Sequence, residues 1–294
     1  MAGKKISELT QTSAIANNDL FIVETNEGTR TVPYSMMKPS SNLESVDCAA
    51  SHNAVFRGKD LTNVYTIDEI CERISNGTFE DLYIGDYFDI TISTTYTSNE
   101  SVRCVLAGFD SYMNTGYPRD KAFNQHHAVV ITENPLTKDF VVKCTTGKND
   151  GFADTEMWKT IIPIYQTAFN SVLNNHILTH VLSLTKLNDN SARTAGYYDV
   201  GLCLLSQIQV FGCSIVSSDY RDIGCETSQL PLFSYNPNMK ICEKGYWLRN
   251  YSDDFNDFIA VGAIYTNEPI ITYSYNSTGL GNSSYPIRPV FCIG

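Results

Sequence analysis

Residues 244–265 read KGYWLRNYSDDFNDFIAVGAIY. Tyr246, Trp247 and Leu248 are large and apolar, and the residue that follows them, Arg249, is a planar cation that keeps its charge. The same association returns at the end of the sequence as Ile287-Arg288-Pro289-Val290-Phe291. An arginine set in apolar sequence needs carboxylate or carbonyl partners, and once buried and partnered it organises backbone rather than reacting. The residues between the two anchors have another character. Asn250, Tyr251, Asp253, Asp254 and Asn256 follow the first anchor, and Tyr265, Asn267, Tyr273, Tyr275 and Asn276 hold the middle. Asn282, Ser284 and Tyr285 precede the second anchor. Tyrosine supplies contact area at little entropic cost and asparagine or serine supplies adaptable hydrogen bonds, the division of labour found in antibody loops. The stretch therefore reads as a frame that holds a recognition surface, not as an active site.

The rest of the composition agrees with a folded recognition protein. With 294 residues, 43% of them hydrophobic and 18% charged, the chain can bury a substantial core in one large domain or two. Its 18 tyrosines outnumber its 14 phenylalanines, a surplus suited to a β-rich protein or to a binding surface. The net charge is −11 with no run of basic residues, so phosphate backbones would be repelled and nucleic acid is not expected as a partner. Residues 1–20, MAGKKISELTQTSAIANNDL, have a charged start but no long apolar stretch. Neither a secretion signal nor membrane insertion is expected, which implies synthesis and folding in a cytoplasm.

Along the chain, residues 1–40 form a small β-rich module, with a strand at Asp19–Glu24, a turn at Asn26-Glu27-Gly28 and a return strand at Thr29–Val32. About forty residues bury too little surface to be stable alone, so this module requires partner copies or a docking surface. The polar stretch from 41 to 54 is expected to be a linker, and the main domain to run from Val55 to Gly294. Within it, Thr66-Ile67-Asp68-Glu69 is a capping box opening a helix with Ile67, Ile70, Cys71 and Ile74 on one face, ended by Asn76-Gly77. LYIGDYFDITI and SVRCVLAGFD read as a hairpin at the edge of a core sheet. Trp158, Ile161, Tyr165, Phe169 and Val172 recur at helical spacing, with Pro163 implying a kink or a later start. DVGLCLLSQIQVFG suggests a third helix closed by Gly212, and from Pro231 onward short strands are expected without helical period. The fold class is α+β, with helices packed on a loop-rich antiparallel sheet.

Few motifs invite chemistry. The nine cysteines are scattered with no C-x-x-C pair, which fits neither a disulfide framework nor a zinc site, and those in VRCVLAG and VFCIG behave as small hydrophobes. His126 and His127 are adjacent, so on a strand they point to opposite faces, and no third metal ligand stands near. His176 and His180 would share a face on a helix, but the glutamate of a metalloprotease motif is replaced by Ile177. There is no nucleophile elbow, Walker loop or dinucleotide fingerprint. Asp253 and Asp254 with Asp257 or Glu268 could form a glycosidase pair, yet such acidic clusters are ordinarily solvated loops. No cofactor and no metal are expected.

LYIGDYF, AGFD, HHAVV, LPLFSYNP, YWLRN and the terminal IRPVFCIG together resemble the C-terminal domains of head- and tail-fibre proteins from bacteriophages of gut bacteria. Those domains are similar to the C-type-lectin fold, in which a W-L-R motif and a final R-P strand bracket a variable binding surface. The resemblance covers roughly residues 55–294 and implies that Trp247, Leu248, Arg249, Arg288 and Pro289 are the structural frame. It also implies that the ligand-binding set is Asn250, Tyr251, Asp253, Asp254, Asn256, Tyr265, Tyr273, Tyr275, Asn276, Asn282 and Tyr285. ISELT followed by DLFIV and GTRTV resembles modules with which phage structural proteins attach fibres to the virion. The implied protein is not an enzyme. It is a virion component, a homotrimer by expectation, that attaches to other virion proteins through residues 1–40 and adheres to a bacterial surface glycan or protein. The alternatives are a structural decoration or connector protein and a polysaccharide depolymerase.

Overall fold

The computed structural model describes residues 20–25, 28–33, 48–142, 151–188, 193–213, 228–242, 244–252, 257–262, 270–273 and 284–294. Its chain divides into two units, Met1–Val46 and Asp47–Gly294. In the first, β1 (Leu20–Thr25) and β2 (Gly28–Pro33) pair antiparallel, in register from Leu20 opposite Pro33 to Thr25 opposite Gly28. This is the hairpin expected from DLFIV and GTRTV, with the first strand displaced by one residue and the second longer by one residue at each end.

The second unit begins earlier than the sequence suggested. Helix α1 (Ala49–Asn53) lies within the stretch expected to be linker, and His52 is buried with its Nδ1 2.6 Å from the carbonyl of Leu82. The Asn53 amide donates to the Phe109 carbonyl and accepts from the Phe109 N–H, both at 2.8 Å. A polar side chain that reproduces the pairing of a neighbouring strand looks like linker composition, which is why the boundary was misplaced.

Helix α2 (Ile67–Ser75) opens as the capping box requires: the Glu69 N–H donates to Thr66 Oγ1 at 3.2 Å and the Thr66 N–H to Glu69 Oε2 at 2.7 Å. Its buried residues are Ile70, Cys71 and Ile74. At its end Gly77 has φ +72°, and a Cβ there would stand 2.5 Å from the His126 ring, so backbone conformation and space both demand glycine.

Strands β3 (Tyr87–Ile92) and β4 (Glu100–Phe109) form the expected edge hairpin, followed by β5 (Ala128–Thr132) and the short β6 (Asp139–Phe140). Helix α3 (Ile162–Val172) is preceded by a π-helical turn, Met157–Ile161. Pro163 falls in the first turn of α3, where its missing N–H breaks no bond, so the later start is the one realised. Strand β7 (Ile177–Leu178) leads to the hairpin of β8 (His180–Leu187) and β9 (Arg193–Val200). His176 and His180 therefore share no helix.

The third expected helix is only its last segment. Residues 202–204 form strand β10 (Leu202–Leu204), and helix α4 (Gln207–Phe211) follows, closed by Gly212. Leu202, Cys203 and Leu204 are all buried, and a run apolar at every position fits a doubly covered strand as well as a helix. After Pro231 the chain also forms a short helix, α5 (Pro231–Tyr235), where strands alone were expected. The remaining elements are β11 (Tyr246–Ser252), β12 (Asp257–Gly262), β13 (Ile270–Tyr273), β14 (Tyr285–Pro286) and β15 (Pro289–Ile293).

The architecture is α+β. The main sheet runs β10-β15-β5-β4-β3, with β7 also on β15, and its pairings are antiparallel. Every residue of β5 and β15 is buried, so the C-terminal strand is an interior strand of the sheet. Helix α3 packs against β3 and β10, while α1 and α5 pack against β4. Strands β11, β12 and β13 make a separate antiparallel sheet, and β14 pairs with β6. Cys71, Cys104, Cys203, Cys242 and Cys292 are buried in the core, as the apolar settings of VRCVLAG and VFCIG suggested. No helix among the described residues is long and apolar enough to cross a membrane.

The reciprocal cap at Thr66 sets a measurable cost: Thr66→Ala should lower the unfolding free energy by about 1 kcal/mol. Urea denaturation followed by circular dichroism checks this, with an unchanged slope expected because the exposed area does not change.

Candidate recognition site

The two sequence anchors meet in space. Trp247 bridges Ile287 in parallel fashion, which brings the start of β11 beside the approach to β15. The strands that begin at the first anchor and precede the second, β11, β12 and β13, form a sheet of their own. Pro289 opens β15 opposite Leu204 of β10, so the frame is continuous with the body of the fold.

Each frame side chain is buried, and those of Trp247, Arg249 and Arg288 bond to backbone carbonyls. Trp247 Nε1–H donates to the Phe140 carbonyl at 2.7 Å, tying β11 to the segment that pairs with β14. Leu248 fills the core beside it. The Arg249 N–H donates to the Leu205 carbonyl at 3.0 Å, and its guanidinium donates to the Leu204 carbonyl at 2.8 Å and to Gln209 Oε1 at 3.2 Å. Arg288 is 0% exposed. It donates through Nε to the Thr132 carbonyl at 2.9 Å, through Nη1 to that of Met239 at 2.6 Å and through Nη2 to that of Glu133 at 2.7 Å. The Tyr246 hydroxyl lies 3.5 Å from the same Nη1, and burial pushes that phenol up to about 12. Both arginines thus find the carbonyl partners their sequence setting demanded.

Of the expected ligand-binding set, Asn250 and Tyr285 are described with their side chains, and both face inward contacts. Asn250 Oδ1 accepts from the Gln207 N–H at 2.7 Å, at the start of α4. The Tyr285 ring stands edge-on to Trp247 with centroids 5.1 Å apart. Both are half-buried, so they support the frame and leave only part of their surface to a ligand. Tyr251 lies in β11 opposite Phe258, and Tyr273 in β13 opposite Ile259. The register between Trp247 and Tyr251 shifts, which marks a bulge where the frame gives way to the candidate face. Asp253, Asp254, Asn256, Tyr265, Tyr275, Asn276 and Asn282 lie outside the described residues, as does Glu268 of the suggested acid pair.

Three further polar constellations stand outside the frame, and of these only the adjacent histidines had a signal in the sequence. Asp86, fully buried, accepts from Arg57 Nε at 3.0 Å and Nη2 at 2.6 Å and from the N–H groups of Lys59 and Tyr83 at 2.8 Å. Asp81 joins this knot through Arg57, Lys59 and Tyr65, and the Lys59 ammonium is the foremost influence holding its carboxyl below the ordinary range. A cleft of about 380 Å³ beside β4 is lined by residues including Asp89, Glu100, Arg103 and Glu133. There Asp89 and Arg103 form a two-point ion pair at 2.9 and 3.1 Å, and Glu100 accepts from Thr137 N–H at 2.6 Å and Thr97 Oγ1 at 2.9 Å. The third constellation is the adjacent pair His126 and His127, of which His127 is buried. His127 Nδ1–H donates to the Gln125 carbonyl at 2.9 Å and Nε2 accepts from the Tyr112 N–H at 3.0 Å, which fixes it as the neutral ring; burial lowers its pKa. His126 is exposed and pairs with Asp110 at 2.8 Å; both histidines precede β5, so the strand on which they were expected to alternate begins one residue later, at Ala128. Among the described residues no three His, Cys, Asp or Glu side chains converge on a metal position.

No family model, curated protein or solved structure matches the chain.

Removing the guanidinium of Arg288 would orphan three carbonyls at once, that of buried Thr132 among them. Arg288→Met should destabilise the second unit by about 3–5 kcal/mol, and Arg288→Lys should recover only part, because an ammonium cannot reach carbonyls spread around a planar fork. Thermal and urea unfolding of the two variants measure this.

Proposed function

We propose that the protein is a bacteriophage virion component, a head or tail fibre that works by adhesion and not by catalysis. In this reading residues 1–40 attach it to the particle, and a C-type-lectin-like domain presents a recognition face to a bacterial surface glycan or protein. The observation that carries the reading is the pair of buried arginines, Arg249 and Arg288, with guanidiniums spent on backbone carbonyls. They anchor the two ends of a segment rich in tyrosine, asparagine and aspartate without offering any reactive group to it. Substitutions between such anchors can change what is bound while the fold is held elsewhere.

The resemblance of YWLRN and IRPVFCIG to the fibre domains supplies the lectin-like assignment, and the adjacency of Trp247 and Ile287 supports it. Self-association as a homotrimer fits a β-hairpin module too small to stand alone, and it would multiply weak contacts through avidity.

The full chain, fluorescently labelled and applied to a panel of bacterial cells, tests the reading. The Tyr251→Ala, Tyr273→Ala, Tyr275→Ala variant should bind roughly tenfold or more weakly than the parent, as loss of aromatic anchors does. Equal binding by both proteins would overturn adhesion through this face, and burial of the three tyrosines against another subunit in the assembled particle would replace it with a connector role.

A further inference from the structure

Residues 112–123 form a flap closed on itself: the Asn114 N–H donates to the Phe123 carbonyl and the Phe123 N–H to the Thr115 carbonyl, both at 2.8 Å. Its base is the bond from the Asp110 N–H to the His127 carbonyl at 2.8 Å. The inner side of the flap is aromatic. Tyr112 and Phe123 are buried, and they cover His180, the first residue of β8, with ring centroids 4.5 and 5.4 Å away.

His180 is 6% exposed, and among the described residues neither ring nitrogen has a hydrogen-bond partner. Such a ring is tolerable only while neutral, because a buried cation without partners costs several kcal/mol. The groups around it make charging worse. From β11 it feels the Arg249 guanidinium, and from the approach to β5 it feels His127. Asp110, which follows β4, is engaged by His126 and by the His127 N–H at 2.9 Å. From α4 the Gln209 side-chain amide donates to the hydroxyl of Tyr112, the ring that covers His180. The charged residues of the flap itself, Arg119, Asp120 and Lys121, are exposed, and Lys121 pairs at 3.9 Å with Asp199 of β9.

We propose that His180 is an acid-sensitive latch: while neutral it is sealed under the 112–123 flap, and on protonation it drives the flap open, exposing Tyr112 and Phe123. The device lies outside the candidate recognition face and stands whether or not that face binds a ligand.

The direction follows from linkage. Burial lowers the His180 pKa from 6.5 to about 3, so the closed flap binds the proton less well than the open one. Opening is unaffected above pH 6.5 and is favoured progressively as pH falls from 6.5 toward 3. Between pH 7.5 and 5 the opening equilibrium should rise about thirtyfold.

Hydrogen exchange of the full chain, corrected for intrinsic rates, reads this as a thirtyfold loss of protection confined to residues around 112–123 and the start of β8. In His180→Phe, which fills the aromatic box without titrating, the loss should be absent. Protection that is unchanged between the two pH values in the parent, or that falls equally in both proteins, would overturn the proposal. If His180→Phe does not fold, nitrogen shifts of the histidine rings in the parent decide: a closed-state ring neutral at pH 5 supports the latch, and one that titrates near 6.5 with the flap still protected refutes it.

Discussion

The guanidinium of Arg288 holds together segments that the chain order keeps far apart. It reaches the carbonyls of Thr132 and Glu133 at the end of β5 and of Met239 after α5, while its own backbone leads directly into β15. A buried cation normally finds a carboxylate, and here the described hydrogen bonds go to dipoles. The Tyr246 and Phe233 rings add their faces at 5.1 and 5.6 Å. Carbonyl groups already oriented by a sheet and a helical turn lose little freedom in accepting these bonds, so the desolvation of the cation is offset without a second buried charge. Arg288 can therefore sit where no water reaches and still fix the entry of the final strand.

Arg249 does the equivalent work on the other side. Its guanidinium and its N–H bind the consecutive carbonyls of Leu204 and Leu205, at the end of the edge strand β10, so the chain of β11 continues the body of the fold before it departs. With Trp247 bound to Phe140, the first residues of β11 are fixed by three separate segments, and only after the bulge does pairing pass wholly to β12. The stability of the main sheet is thereby decoupled from the identity of residues further along. This is the physical condition a surface must meet if its side chains are to be selected for what they contact.

Much of this was legible because burial and charge conflict visibly in a sequence. An arginine after Tyr-Trp-Leu or before Pro-Val-Phe has few physical solutions, and Thr66 three residues before Glu69 has essentially one. The β3–β4 hairpin was legible from apolar content, and the start of α3 from Pro163. What failed was decided by distant partners. Leu202–Leu204 is strand because β15 lies beside it, and residues 49–53 belong to the folded unit because Asn53 finds Phe109. Asn250 and Tyr285 show the same limit within the site, since composition places them with a binding surface while Gln207 and Trp247 draw them toward the frame.

Arg288 and His180 are both basic groups removed from solvent, and the fold treats them in opposite ways. A guanidinium cannot shed its proton at any ordinary pH, so Arg288 must be surrounded by acceptors, and it is. An imidazole can, so His180 is accommodated by aromatic rings that ask nothing of it while it is neutral. His127, which shares the Phe123 ring with His180, shows a third solution: one nitrogen donates, the other accepts, and the neutral form is specified by geometry. Of the three, only the unpartnered ring gains partners by leaving the interior, because water can satisfy both nitrogens of an exposed imidazole. The frame built on arginine is therefore indifferent to the proton concentration over a range in which the aromatic box around His180 is not, and the two parts of one core can respond differently to the same change in solvent.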